Sequence, residues 1–172
     1  MEDNQITKTD TAKDILYGIG MGLCVTIVFF VFIFNIVIVS GTSMTPTLSN
    51  GSIIITNHIK PNLEFGSIVV CDIDAMNEKI VKRIIGCPGD TIDIDFENGI
   101  VYRNGEALDE PYIKDLTHIQ FDNATPLPIT LDDDSYFLMG DNRNNSIDSR
   151  EATIGAAASK NLKSSYLFTL IG

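Results

Sequence analysis

Hydrophobic positions divide this chain into two parts. An apolar run, ILYGIGMGLCVTIVFFVFIFNIVIV, covers residues 15–39, and no charged side chain occurs between Asp14 and Lys60. At about 1.5 Å per residue, a helix of this length exceeds the roughly 30 Å hydrocarbon core of a bilayer. We therefore predict a tail over 1–14, a transmembrane anchor over 15–39 and one folded domain over 40–172.

A cleavable signal peptide is the alternative interpretation of the apolar run. The apolar part of a signal peptide is normally shorter and follows a basic start, whereas MEDNQITKTDTAKD is net acidic. Lys8 and Lys13 precede the run, and no Lys or Arg occurs in the twenty residues after it, which favours a cytoplasmic N-terminus. We expect a single-pass protein of the plasma membrane whose domain is extracytoplasmic.

Beyond the anchor, short runs rich in Ile, Val, Tyr and Phe alternate with Gly, Asn, Asp and Pro, a pattern typical of antiparallel strands. The alternation is clearest where Ile92, Ile94 and Phe96 share one face and Asn-Gly pairs follow as tight turns. The segment 155–165, GAAASKNLKSS, fits either a helical turn or a loop. The predicted fold is mainly β, with strands over 52–56, 67–71, 80–85, 91–96, 100–103 and 136–139.

Charge and cysteine content narrow the function classes. Asp and Glu outnumber Lys and Arg by 23 to 12, so the surface repels polyanions and we expect no nucleic-acid partner. Cys24, Cys71 and Cys87 lack the spacing of metal ligands. Cys24 lies in the apolar run, and we expect Cys71 and Cys87 to be small core residues, although these two would be able to pair after export. The aspartates of 132–134 lack the spacing of a calcium loop and are expected to be solvated.

The segment after the anchor, SGTSMTPTL, is a candidate for chemistry. A Ser/Thr-rich stretch is often a flexible tether, because these side chains satisfy their own backbone. Here Pro46 limits flexibility, and Met44 and Leu48 are apolar anchors, which indicates a docked loop that presents one hydroxyl. Serine is a poor nucleophile until a neighbouring base takes its proton.

Histidine is the usual base, and His58 and His118 keep a Ser-His-Asp triad open, since triad residues meet in space rather than in sequence. Two other serine signatures fail. Thr45 replaces the second glycine of a Gly-x-Ser-x-Gly elbow, and Pro46 replaces the lysine of a Ser-x-x-Lys signature that starts at Ser43.

Lysine is the remaining candidate base. Lys82 and Arg83 lie inside the predicted strand 80–85 and point to opposite faces, so one of the two cations faces the apolar side. If this cation is Lys82, desolvation lowers its pKa from a reference value of about 10.4 and frees part of the amine near neutral pH. The alternative is a lysine on an edge strand that extends to water.

Five segments in this order behind one apolar span resemble the boxes of bacterial type I signal peptidases, particularly the short Gram-positive kind: SGTSMTPTL, GSIVVC, KRIIGCPGD, NGEALDEPYI and YFLMGDNRNNSIDSR. The resemblance implies an antiparallel, barrel-like β domain behind one transmembrane helix. It implies a Ser-Lys dyad protease, without metal or organic cofactor, that removes signal peptides from exported preproteins at the lipid bilayer. The implied substrates carry small residues at positions −1 and −3.

By motif position, the resemblance implies Ser43 as the nucleophile and Lys82 as the general base. Gly41 stands where some relatives carry a hydroxyl, so the oxyanion would be bound mainly by backbone N–H groups, that of Ser43 among them. Other implied roles are a lysine-orienting hydroxyl at Ser146, the supporting ion pairs Asp148–Arg150 and Asp141–Arg83, and a substrate-pocket wall at Met44.

The sequence also departs from the family. Cys87 replaces a residue that is commonly aliphatic, and beyond Gly155 the match is loose. One rival is a self-cleaving repressor-type protease with the same dyad, against which the anchor and the acidic charge argue. The other is a catalytically silent or narrowly specialised relative, for instance one that acts in pilin processing.

Overall fold

The computed structural model describes residues 8–73 and 76–172. Its contacts separate a helical unit, which ends at Phe34, from a β unit, Asn35–Gly172. The helical unit is α1, Lys8–Ile33, of which Ala12–Ile33 is long and apolar enough to cross a membrane. Within α1, the Thr26 hydroxyl donates to the Gly22 carbonyl at 2.9 Å, which satisfies the hydroxyl inside the helix. The first seven residues of the predicted tail, 1–14, lie outside the described residues.

The apolar run 15–39 is not helical throughout. The helix ends at Ile33, and the strand β1, Phe34–Ile38, takes the last part of the run. β-Branched residues at 36–38 favour an extended backbone, and β1 joins the edge of a sheet. The 22 residues of Ala12–Ile33 still span about 33 Å as a helix.

Two antiparallel sheets form the β unit. The larger has seven strands in the order β1-β2-β11-β3-β4-β9-β10, and the smaller has four in the order β7-β6-β5-β8. Short 3₁₀ turns occupy Arg143–Asn145 and Ser159–Asn161. The remaining strands are β2 (Ile53–Asn57), β3 (Ile68–Ile73), β4 (Glu78–Gly86), β5 (Thr91–Asp95), β6 (Ile100–Arg103), β7 (Glu106–Ala107), β8 (Ile129–Thr130), β9 (Ser135–Met139), β10 (Ala157–Ala158) and β11 (Leu162–Ile171).

Each of the six predicted strands is present, and no bound differs from its prediction by more than two residues. The expectation for 155–165 was incomplete, because this segment holds β10, a 3₁₀ turn and the first residues of β11. β11 pairs with both β2 and β3 and so lies inside the large sheet. Its buried positions include Ser164 and Ser165, so the strand lacks the apolar alternation by which the others were predicted.

Three apolar clusters hold the β unit together. One packs residues of β4 and β9 against β5, β6 and Leu131, and so joins the two sheets. A second lies against β3 and contains Cys71, with Cys87 packed on it, as expected for small core residues. The third contains Met44, Leu48 and Ile54. Met44 and Leu48 are each 1% exposed, so the segment after β1 is a docked loop, as its sequence predicted.

We expect Leu48→Ala to lower the free energy of unfolding by about 2 to 5 kcal/mol, because it leaves a cavity under the loop. Leu167→Ala is the matched control, since Leu167 is 44% exposed and the same truncation at the surface costs about 0.5 kcal/mol or less. Denaturant unfolding in detergent measures both. Equal losses in the two variants would show that the loop is not anchored through Leu48.

Candidate active site

The loop that follows β1 presents Ser43. Gly41 adopts φ +92°, a conformation that favours glycine, and its N–H donates to the Asn50 side chain at 2.8 Å. A hydroxyl residue at this position would be strained, which gives a local reason for the glycine. The backbone N–H of Asn142 donates to the Ser43 carbonyl at 2.9 Å, and the Asn142 side chain donates to the Thr42 carbonyl at 3.1 Å. The loop is therefore held on the segment after β9.

Lys82 meets Ser43 across 39 residues of sequence. Lys82 lies in β4 opposite Val69 of β3 and is 3% exposed. Its Nζ lies 2.7 Å from Ser43 Oγ, within hydrogen-bond distance. Arg83 points the other way and forms a bidentate pair with Asp141, at 2.8 and 2.6 Å. Of the two neighbouring cations, Lys82 thus enters the buried space, and the charge of Arg83 is neutralised by a carboxylate.

Burial is the main influence on the protonation of Lys82. Desolvation lowers the pKa of its ammonium below the ordinary value, the carboxylate of Asp148 opposes this, Arg150 lowers the pKa further, and Asp141 raises it. The net direction is down, so a larger fraction of the side chain is free amine near neutral pH than in an exposed lysine. A free amine is able to accept a proton from a serine hydroxyl.

The carboxylate of Asp148 is buried and fully engaged. Arg150 donates to it from Nε at 2.8 Å and from Nη2 at 3.0 Å, the Gly140 N–H donates at 2.9 Å, and the Ser146 hydroxyl donates at 2.7 Å. Burial raises the pKa of Asp148, but Arg150 and the other donors outweigh it and the net shift is down. Asp148 is therefore ionised at neutral pH and holds Ser146 in place.

Ser146 and Lys82 line one cleft of about 330 Å³, together with Ser43. Among the described residues, the structure shows no hydrogen bond between Lys82 and Ser146. A hydroxyl that donates its proton to Asp148 keeps its lone pairs as acceptors. Ser146 is thus placed beside the lysine with acceptor capacity left.

Three residues of the site were not singled out from the sequence. Asn142 is one of them, and Thr47, whose hydroxyl donates to Asp141, is another. Gly140 is the third, since a Cβ built on it would lie 2.2 Å from Ser146 Oγ and 2.6 Å from the Ser43 carbonyl oxygen. All three lie inside the motif segments, but only the folded chain shows why these residue types stand there.

A larger cleft of about 760 Å³ runs between β1 and the first half of β4, with Ser43 and Lys82 in its lining. β9 pairs with residues 83–86 of β4, so the edge of 78–82 faces the cleft. Met44 lies in the core beneath the loop, and it is absent from the described residues that line the two clefts. His58 and His118 are absent from them as well, so neither is placed to serve Ser43.

Within the described part of the chain, no group of three His, Cys, Asp or Glu side chains is arranged to hold a metal ion. The chemistry available at Ser43 from this chain's own residues is that of a hydroxyl beside a buried amine.

Comparison with known proteins adds independent findings. Residues 12–170 match the family described as signal peptidase, peptidase S26. Signal peptidase I S of Bacillus subtilis is 37% identical over 159 residues, which cover 87% of this chain and 84% of that one. Signal peptidase IB of Staphylococcus aureus is 35% identical over 157 residues, 80% of this chain and 81% of that one. The crystal structure of a signal peptidase I from Enterococcus faecalis covers 62% of this chain and 97% of its own, with a TM-score of 0.50 and 24% identity, and supports the fold.

Gly140→Ala is expected to lower the free energy of unfolding by about 1 to 3 kcal/mol, because the added methyl group overlaps Ser146 and the Ser43 backbone. Gly20→Ala is the control, since its added methyl group meets nothing within 4 Å. Denaturant unfolding in detergent compares the two variants with the parent. An unchanged stability of Gly140→Ala would contradict the close approach of these segments.

Proposed function

The chain belongs to the signal peptidase family, peptidase S26, and on that basis we propose that it is a membrane-anchored serine endopeptidase that cleaves signal peptides from preproteins. One observation supports the proposal most strongly: the buried Lys82 Nζ lies 2.7 Å from Ser43 Oγ. This distance lies within the range required of a nucleophile and its base.

The proposed reaction begins with the neutral amine of Lys82. Ser43 Oγ attacks the scissile carbonyl while its proton passes to Lys82 Nζ, and the C–O bond to the enzyme forms. The resulting ammonium returns the proton to the leaving amine as the C–N bond breaks. Lys82 then takes a proton from the water that attacks the acyl-enzyme. It returns this proton to Ser43 Oγ as the ester bond breaks, which releases the signal peptide and restores the hydroxyl and the neutral amine. The backbone N–H of Ser43 is the proposed donor to the oxyanion, because Gly41 has no side chain to assist.

The supporting residues act on the amine by position and charge. We assign Ser146 the task of orienting Lys82, with its oxygen accepting from the amine and its proton donated to Asp148. The pair Asp148–Arg150 fixes Ser146. The pair Asp141–Arg83 keeps the charge next to Lys82 on β4 neutralised, since an opposite charge within a few ångström stabilises each partner.

The proposed substrate is an extended segment with small residues at −1 and −3, bound in the larger cleft along the free edge of residues 78–82. Backbone hydrogen bonds to a sheet edge suit an extended peptide of variable sequence. Met44, which the sequence suggested as a pocket wall, packs in the core beneath the loop and is absent from the described lining of both clefts, so we assign it the support of the loop instead. We propose that the catalytic unit lies on the extracytoplasmic side of the plasma membrane, with the N-terminus in the cytoplasm and α1 as the anchor. Tethering enzyme and substrate to one bilayer raises their effective concentration.

Ser43→Ala and Lys82→Ala are each expected to reduce cleavage of a preprotein in detergent or liposomes by at least about 10²–10⁴-fold, the range for loss of a general base. Ser49→Ala and Lys60→Ala, at exposed positions, are the matched controls and should retain activity. Mass spectrometry of the new N-terminus reports the cut. An inactive parent protein would favour the catalytically silent relative, and activity in either dyad variant would remove that residue from its role.

The cleavage rate is expected to fall as pH decreases through the lowered pKa of Lys82, because protonation removes the base. Above that pKa the amine is free and the rate levels off, so the loss lies on the acid side of the profile. Lys82→Arg should be inactive over the same range, since guanidinium stays protonated. A rate of the parent protein that is constant down to pH 5 would contradict a free-amine base.

A further inference from the structure

A third ion pair, Glu110–Arg143, is also buried and takes no part in the steps proposed above. The Arg143 side chain is 0% exposed and that of Glu110 is 6% exposed. Arg143 donates to both carboxylate oxygens of Glu110, from Nη2 at 2.5 Å and from Nη1 at 2.9 Å. Burying two charges costs free energy that even good geometry only roughly offsets, so such a pair serves to specify an arrangement more than to add stability.

The arginine end of the pair is tied to the segment that carries Ser146. Arg143 Nε donates to the Gly140 carbonyl at 3.0 Å, and Nη1 also donates to the Thr117 hydroxyl at 3.0 Å. The carbonyl of Arg143 accepts from Arg150 Nη2 at 2.6 Å. Arg143 therefore holds the Gly140 end of the turn directly. It is linked to the Ser146 end through Arg150, whose Nη2 also donates to the Ser146 carbonyl at 3.3 Å.

The glutamate end of the pair lies near the Asp141–Arg83 pair, next to Lys82. The Tyr112 hydroxyl donates to Glu110 Oε1 at 3.0 Å, and the Arg83 guanidinium lies 4.1 Å from the centre of the Tyr112 ring, within cation–π range. The Lys114 N–H donates to the Asp141 carbonyl at 3.1 Å. The segment 110–114 thus contacts Arg83 and Asp141, and through Arg143 it also reaches the turn that holds Ser146.

We propose that Glu110 and Arg143 form a positioning pair that fixes the Gly140–Ser146 turn against β4 and thereby sets the surroundings of Lys82. The charged groups that act on Lys82 lie in and just after this turn: Asp141 is within it, and Asp148 and Arg150 follow it. Glu78, on the same strand as Lys82, lines the same cleft. The proposal rests on the proposed function only for its kinetic consequence, since the arrangement of Lys82 is measurable without a substrate.

Glu110→Gln keeps the shape of the side chain, removes its negative charge and leaves one acceptor oxygen for Arg143, and Arg143→Lys removes the two-pronged contact. We expect each to lower kcat by about 10- to 100-fold, as for a displacement near 1 Å at a reacting group, and to leave KM within about 2-fold. Because a looser turn admits water to Lys82, the acid limb of the kcat profile should move up by roughly half to one pH unit.

The second readout needs no catalysis. Acetylation of Lys82 by acetic anhydride, followed by mass spectrometry at a series of pH values in the Ser43→Ala background, titrates the amine directly. The same upward shift is expected there for Glu110→Gln and Arg143→Lys. Tyr112→Phe, which removes only the hydroxyl and keeps the ring beneath Arg83, is expected to give a smaller shift in the same direction and remains informative if Arg143→Lys does not fold.

Arg103→Lys is the matched control. Arg103 pairs with Asp90 at 2.7 Å, but this pair lies on the smaller sheet and contacts neither the Gly140–Ser146 turn nor Arg83 among the described residues. Arg103→Lys should lower the free energy of unfolding without shifting either the acid limb of the kcat profile or the acetylation titration of Lys82. Unchanged titrations in Glu110→Gln and Arg143→Lys, or shifts of equal size in Arg103→Lys, would overturn the positioning role. A parent protein that fails to cleave but whose Lys82 titration still shifts in the variants would contradict the proposed function alone.

Discussion

Keeping the amine of Lys82 buried, so that its pKa is lowered, is the constraint on which this structure depends. Lys82 is removed from water by the packing of β3 and β4 and by the loop that carries Ser43. The charged residues that act on Lys82 are Asp148, Arg150 and Asp141, and each is paired with an opposite charge. Asp148 is held by Arg150, and Asp141 by Arg83. The carboxylates raise the pKa of Lys82 and Arg150 lowers it, so these effects oppose each other. Burial is the largest influence and decides the direction in which the pKa moves.

The same logic explains why so many polar groups are buried beside the site. The buried Asn142 donates to carbonyls of the loop, and the buried Gly140 N–H and Ser146 hydroxyl donate to the carboxylate of Asp148, so these polar atoms do not depend on water. Fully satisfied networks rigidify a site, whereas a partly satisfied one would be costly in a medium of low dielectric constant. The apolar anchors Met44 and Leu48 add a packing restraint from below.

The sequence was sufficient for those parts of the fold in which burial and polarity alternate. Six strands, the docked loop and the closeness of Ser43 and Lys82 could be predicted, the last through family resemblance. β1 was missed because an apolar run does not show where a helix changes to a strand. β11 was missed because Ser164 and Ser165 occupy buried positions. The pairing of Glu110 with Arg143 joins irregular segments 33 residues apart, and no periodic signal marks such a contact.

β11 has a consequence for how the protein is made. It lies between β2 and β3, and β2 follows the loop of Ser43 while β3 leads into the strand of Lys82. The first residue of β11, Leu162, is also synthesised 89 residues after Ile73, the last residue of β3, and pairings between such distant segments form slowly. During translation, β2 and β3, which adjoin the loop of Ser43 and the strand of Lys82, remain without their shared neighbour. A nascent chain that ends before Leu162 would lack the strand between β2 and β3. We therefore expect Ser43 and Lys82 to come together only after β11 has been synthesised.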